Sequence, residues 1–179
     1  MVAPLLYTAW RNVLAYPQDG NCAPLRCALE ELSEALPELA DALRPLRQLA
    51  AQDEPAVLEE AYMRTFDCNP DRALEVGWHL FGETYSRGNF LVRMRGFMRD
   101  CGIEEGVELP DHLCNVLGVV ETADEGLSRA IRTQYLLPAL AKLELGFRDD
   151  QDPYRGVIAA LKRFVEAELG TARNEARDE

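Results

Sequence analysis

Apolar residues recur at helical spacing along nearly the whole chain, and this pattern restricts the fold more than any other feature of the sequence. No stretch shows the sustained alternation with β-branched residues that a half-buried strand requires. Asn69-Pro70 and Asp152-Pro153 are typical helix starts, because the polar side chain accepts bonds from free amides and proline has no N–H to leave unpaired. The sequence therefore predicts an all-α protein.

The same periodicity predicts a single compact domain of about eight or nine helices. The expected helices cover residues 4–16, 23–36, 38–51, 55–67, 70–81, 84–101, 110–121, 123–145 and 153–169. A chain of 179 residues buries roughly 70 % of the surface it exposes when unfolded, so packing alone can hold the core. We expect a helical domain over residues 1–170 and a charged, frayed tail over residues 171–179.

Charge and cysteine content argue against several classes of protein. The 31 acidic and 19 basic residues give a net charge of −12, which disfavours binding to nucleic acid. The five cysteines are an odd number without the spacing of a disulfide framework, which indicates reduced thiols and a cytoplasmic location. We expect no membrane insertion and no signal peptide, because the required apolar runs are absent from the sequence.

The charges are unevenly distributed along the chain. Residues 28–75 contain 12 acidic and 4 basic residues, and residues 101–125 contain 7 acidic residues and no lysine or arginine. Between them, residues 76–100 contain 4 basic and 2 acidic residues. A solvated acidic surface accounts for most charge runs of this kind. The functional alternative is a field that attracts a cationic peptide, which speeds encounter and weakens in salt.

The sequence carries no motif of a common catalytic or cofactor site. It lacks a phosphate-binding glycine loop, a dinucleotide fingerprint, a nucleophile elbow and an HExxH pair. A metal-dependent helical enzyme would have to use His79 and His112 with Cys68, Cys101 and Cys114, whose spacing matches no zinc pattern. We therefore expect no enzymatic activity, no cofactor and no metal. The composition and helical pattern also allow a generic helical adaptor or dimerisation module without enzymatic activity.

Three clusters carry residue types that are unusual for plain helix surfaces. The first, residues 62–67, reads YMRTFD and places Tyr62 and Phe66 along one helix face. The second, residues 79–88, reads HLFGETYSRG and surrounds a predicted helix junction. The third, residues 108–113, reads ELPDHL, and its carboxylates suit the positive end of a helix dipole. Capping and turn chemistry alone would also account for each cluster.

The combination YxxTFD, HxxGExxxRG and ELPDHL, in this order and with this separation, resembles one family. It is similar to the NarJ-type maturation chaperones of membrane-bound nitrate reductase, within the wider NarJ/DmsD/TorD group. The segment Leu14-Ala-Tyr16-Pro17 is similar to the LxYP opening of that family. By motif, the resemblance covers about residues 10–121.

This resemblance implies a cytoplasmic, all-helical chaperone rather than an enzyme. Family members bind the N-terminal peptide of an apo-molybdoenzyme catalytic subunit, nitrate reductase alpha or a relative, and assist molybdenum cofactor insertion and complex assembly. The resemblance implies these peptide- or client-binding residues: Tyr62, Phe66, Asp67, His79, Tyr85, Arg87, Glu108, Pro110, Asp111 and His112. Whether they contact the peptide or hold the helix junctions around it is left open, as is homodimer formation.

Overall fold

The computed structural model describes residues 3–17, 22–148 and 151–175. The described residues form helices and contain no β-strand, which confirms the all-α prediction. The ten α-helices are α1 (Ala3–Leu14), α2 (Ala23–Ala35), α3 (Ala40–Ala50), α4 (Pro55–Tyr62), α5 (Val76–Phe81), α6 (Tyr85–Asp100), α7 (Leu113–Thr122), α8 (Glu125–Ile131), α9 (Leu137–Leu145) and α10 (Arg155–Glu175). A π turn at Arg132–Leu136 joins α8 and α9 into one continuous helix. Counted in this way, the described residues contain nine helices, as predicted.

The predicted tail over residues 171–179 lies only partly within the described residues. Helix α10 continues to Glu175, six residues beyond the expected helix end at 169. Residues 176–179 lie outside the described part of the chain. The division into a domain and a tail stays a prediction.

The core lies where α1 packs against α2 and α7, and where α10 packs against α3 and α9. Trp10 of α1 is fully buried, and its ring centroid lies 5.9 Å from that of Phe164 in α10. Gly156 permits the close contact of α10 with α3, because a Cβ there would lie 1.9 Å from the Ala42 carbonyl oxygen. Burial of each large apolar side chain stabilises the fold by about 1.5–3 kcal/mol.

The predicted helix over residues 70–81 is wrong in its first half. Asn69 caps only a short 3₁₀ turn at Pro70–Arg72, where its side chain accepts the Asp71 N–H at 3.0 Å. The chain then runs extended, and α5 begins at Val76. We call residues 70–75 the 70–75 segment.

The extended part of this segment pairs with the end of the loop that precedes α7. The Val76 N–H donates to the Asp111 carbonyl, and the Leu113 N–H donates to the Leu74 carbonyl, both at 2.8 Å. These bonds replace the ones that a helix would have made locally. A backbone pairing across more than thirty residues is not visible in helical periodicity, which explains the incorrect prediction.

None of the helices in the described ranges combines the length and the apolar content that crossing a bilayer requires.

Candidate functional site

A cleft of about 290 Å³ lies between the end of α4, the 70–75 segment and the loop before α7. Its lining combines aromatic rings, carboxylates and one imidazole. These groups belong to Tyr16, Tyr62 and Phe66, to Asp67, Glu75 and Glu108, and to His112. We call it the acidic cleft. It brings together five of the ten client-binding residues that the resemblance implied.

Tyr62 and Phe66 form an aromatic wall of the acidic cleft. Helix α4 continues at Tyr62 into a π turn over Met63–Asp67, which agrees with the predicted end at residue 67. The two rings meet edge to face with centroids 5.0 Å apart, and Tyr16 and Tyr154 extend the cluster on either side. Because such pairs contribute about 0.5–1.5 kcal/mol beyond simple burial, the wall is firmly anchored in the core.

The carboxylates of the acidic cleft come from both acidic stretches of the sequence. Asp67 and Glu75 belong to the first stretch and Glu108 to the second. Within the described residues, the side chains of Asp67 and Glu75 make no hydrogen bond or ion pair, and Glu108 lies 4.0 Å from His112 Nε2. Burial raises the pKa of Asp67, Glu108 raises it further, and His112 opposes the shift. The cleft therefore carries negative charge that neighbouring side chains leave largely uncompensated.

His112 is the N-cap of α7. Its Nδ1 accepts the Cys114 N–H at 3.2 Å, so α7 begins at Leu113 and not at residue 110 as predicted. This acceptor role places the proton of the neutral ring on Nε2, the nitrogen that faces Glu108. Burial lowers the pKa of His112, although the surrounding carboxylates raise it. The imidazole is therefore neutral near pH 7 and adds no positive charge to the cleft.

Asp111 is completely buried and lies outside the cleft lining, as does the buried Pro110. Arg87 of α6 donates its Nε–H to Asp111 Oδ2 at 3.1 Å, and its guanidinium lies over the Trp78 ring, 5.7 Å from the centroid. Gly77 makes room for the carboxylate, because a Cβ there would lie 2.6 Å from Oδ2. Asp111 and Arg87 thus join α6 and α5 to the loop before α7.

His79 and Tyr85 also lie outside the cleft lining. His79 Nε2 lies 2.6 Å from the carbonyl oxygen of Ala73, which does line the cleft. Burial lowers the pKa of His79, so the neutral ring donates this bond and supports the cleft wall. Tyr85 is 85 % exposed at the start of α6. Between them, Gly82 has φ +60° and ψ −155°, a conformation that glycine adopts without strain, which accounts for the glycine in the second cluster.

Four further residues line the acidic cleft and were not among the predicted site residues: Tyr16, Ala73, Leu74 and Glu75. Tyr16 belongs to the LxYP segment, so the resemblance contained a signal for it. Glu75 reaches the cleft because the 70–75 segment is extended. Since that segment was predicted to be helical, no sequence signal indicated the position of Glu75.

The acidic cleft adjoins a larger groove of about 510 Å³ between α1, the start of α2 and α7. Tyr16, Glu108 and His112 line both spaces. Two large exposed apolar side chains lie beside them, namely Met63 and Val107. Val107 is 90 % exposed and lines the groove, and the Met63 sulfur lies 4.0 Å from the Tyr16 hydroxyl. Exposed apolar groups around a groove are typical of protein interaction sites.

The residues of the metal-dependent alternative are not brought together. Across the described ranges, no group of three or more His, Cys, Asp or Glu side chains is arranged to hold an ion. His79 and His112 instead contact backbone groups at separate positions. Burial raises the pKa of the Cys114 thiol to about 12, so this thiol is protonated and unreactive near pH 7.

Comparison with known proteins identifies one family. A family model described as nitrate reductase delta subunit matches residues 26–171, well over half of the chain. The matched region contains all ten predicted site residues and every residue of the acidic cleft except Tyr16. No curated protein matches the chain.

Proposed function

Because this chain belongs to the nitrate reductase delta subunit family, whose members are nitrate reductase assembly chaperones, we propose that its acidic cleft binds the N-terminal peptide of an apo catalytic subunit. The client is the alpha subunit of nitrate reductase or a related molybdoenzyme. Binding in the cytoplasm holds the apo-subunit until the molybdenum cofactor is inserted and the complex is assembled. A chaperone family agrees with the expectation that the protein is not an enzyme.

One observation carries this proposal: uncompensated carboxylates lie beside an aromatic wall and exposed apolar side chains. Asp67 and Glu108 can pair with a cationic side chain or the terminal ammonium of a peptide. The same peptide can pack apolar side chains on Val107 and Met63, which are exposed beside the cleft. A basic, amphipathic segment satisfies both requirements, whereas an acidic segment would be repelled.

Apolar burial supplies most of the binding free energy in this mode. At about 25 cal/mol per Å², burying some 400 Å² of apolar surface contributes roughly 10 kcal/mol before the cost of ordering and docking the peptide is subtracted. Exposed ion pairs add only about 0–1 kcal/mol each, so the carboxylates mainly set encounter rate and specificity. We therefore expect an affinity of about micromolar or tighter that weakens modestly with salt.

Calorimetry with the client's N-terminal peptide tests the proposal. The double variant Glu75→Gln/Glu108→Gln removes two cleft charges and should weaken binding and flatten its salt dependence. A matched control, Glu31→Gln/Glu34→Gln, removes two charges from exposed positions of α2 and should bind like the wild type. The absence of binding heat and of competition at low salt would contradict the proposal, and so would an equal loss in both variants.

A further inference from the structure

We propose that Asp152 is a positioning residue that holds two walls of the acidic cleft at a fixed distance; its effect on client binding rests on the proposed function. Asp152 directly precedes the turn into α10 and is 6 % exposed. It does not line the cleft. Its carboxylate nevertheless binds groups from two segments that do, the π turn over Met63–Asp67 and the 70–75 segment.

The first connection runs to the aromatic wall. Thr65 lies in the π turn that carries Phe66, is completely buried, and places its hydroxyl 3.1 and 3.0 Å from the two Asp152 oxygens. The Tyr154 N–H donates to Asp152 Oδ1 at 3.0 Å. The Tyr154 ring in turn lies against Phe66, with centroids 4.9 Å apart. Asp152 therefore fixes both the turn behind this wall and the ring that supports it.

The second connection runs to the 70–75 segment. Arg72 Nη1 donates to Asp152 Oδ2 at 2.8 Å, and only 15 % of the Arg72 side chain is exposed. The guanidinium also lies over the Phe147 ring, 5.3 Å from the centroid. Arg72 immediately precedes the extended residues that place Glu75 in the cleft. The same carboxylate thus also anchors the segment that carries Glu75.

A single buried carboxylate consequently links the turn that carries Asp67 to the segment that carries Glu75. Charge-assisted hydrogen bonds are strong where water is excluded, and removing one partner leaves the other charge unpaired. Without Asp152, the two walls lose this shared anchor and sample wider separations. The client peptide would then have to order the cleft on binding, which lowers its affinity.

The variant Asp152→Asn tests the proposal, because asparagine keeps the side-chain shape but removes the charge that Arg72 pairs with. Hydrogen exchange of the Val76 and Leu113 amides, which bond the 70–75 segment to the loop before α7, reports on the wall directly. We expect faster exchange of both amides and an affinity for the client peptide that falls on the order of tenfold.

A matched control is Ser128→Ala, which removes a buried side-chain hydrogen bond to the Val120 carbonyl, away from the cleft lining. Compared where both variants are folded, this control should leave the two amides and the peptide affinity unchanged. Should Asp152→Asn fail to fold, Thr65→Val removes one of the two connections and is expected to show a smaller loss of affinity. The same two readouts then apply to it.

Wild-type exchange of both amides in a folded Asp152→Asn variant would overturn the positioning role, and so would an equal affinity loss in the Ser128→Ala control. Wild-type peptide affinity in Asp152→Asn would overturn it as well. The two amides could exchange faster in Asp152→Asn while the wild-type protein binds no client peptide. This combination would support the positioning role and contradict the proposed function. The two ideas are therefore tested separately.

Discussion

Arg87 and Asp111 form an ion pair of 3.1 Å that joins the first turn of α6 to the loop before α7, and the Asp111 carboxylate is completely buried. The next residue after Asp111 is His112, which lines the acidic cleft. Because Asp111 is fixed by Arg87, the ion pair also fixes the backbone at His112 without lining the cleft itself. This geometry favours the second of the two roles that the resemblance left open for Arg87 and Asp111, namely support of a helix junction.

Replacing Asp111 by alanine should destabilise the fold more than it weakens client binding. The change leaves the half-buried Arg87 guanidinium without its partner, so we expect the free energy of unfolding in urea to fall by about 3 kcal/mol. In the double variant with Arg87→Gln, part of this loss should be recovered. An Asp111→Ala variant with wild-type stability and no peptide binding would instead place Asp111 at the client.

Replacing Asp67 by asparagine should stabilise the protein at pH 7 while weakening client binding. The folded state raises the pKa of Asp67 above the ordinary value of 3.8, mainly by burial. Protonated Asp67 therefore stabilises the folded state fully below pH 3.8. This stabilisation is lost as the pH rises through the pKa that Asp67 has in the folded protein. At pH 7 the charge destabilises the fold, so the variant should melt at a slightly higher temperature.

The control Glu34→Gln, on the exposed face of α2, should change neither the melting temperature nor the affinity. A fall in both quantities for Asp67→Asn would show that Asp67 supports the fold and does not attract the client. A higher melting temperature together with a weaker affinity is expected if the charge of Asp67 serves binding, because a functional site commonly lowers stability.

The contribution of the two histidines to the stability of the protein should fall as the pH drops below about 6.5. Burial lowers the pKa of both His79 and His112 below their ordinary value of 6.5. The unfolded chain therefore binds more protons, and the stabilisation present above that pH is lost as the pH falls through the folded pKa values. The carboxylates facing His112, which are Glu75, Glu108, Asp67 and Asp111, oppose the shift less strongly than burial favours it.

The variant His112→Asn separates the titration of this residue from its capping role. Asparagine is a good N-cap and retains a side-chain acceptor for the first turn of α7, but it does not titrate. Urea unfolding at several pH values should show a smaller loss of stability on acidification than in the wild type. A loss of stability on acidification that is as large in His112→Asn as in the wild type would contradict the neutral, buried imidazole.

Alanine substitutions at Gly77 and at Gly96 should change the stability of the protein in opposite directions. A Cβ at Gly77 would lie 2.6 Å from Asp111 Oδ2 and 2.8 Å from Phe90, so we expect a loss of about 1–3 kcal/mol. Gly96 lies in α6, where an added Cβ would meet open space beyond its own helix, and alanine there should stabilise the helix by about 1 kcal/mol. Thermal unfolding measures both effects, and a neutral Gly77→Ala would contradict the packing around Asp111.

Local signals in the sequence account for most of the fold. Helical periodicity predicted the nine helices, because the buried apolar residues of an amphipathic helix recur every three or four positions. It did not predict the extended 70–75 segment, whose backbone is satisfied by residues 111 and 113. Periodicity carries no information on such distant partners, so the helix starts near residues 70 and 110 were placed incorrectly.

The sequence indicated only part of the cleft lining, for a related reason, and a role of these residues in client binding stays a prediction. Tyr62, Phe66, Asp67, Glu108 and His112 belong to motifs, and the fold brings them to one cleft. Glu75 and Asp152 belong to none of these motifs, and their positions depend on backbone pairing and a buried ion pair between distant segments. Their roles therefore required the three-dimensional arrangement.

The most direct test of the central claim is an NMR titration of the labelled protein with the N-terminal peptide of the apo catalytic subunit. We predict that the largest amide shifts occur in residues 73–75 and at Glu108 and His112, and that exposed positions of α2 such as Glu34 remain unchanged. Saturating shifts confined to surfaces away from the acidic cleft, or no shifts at low salt, would contradict the account.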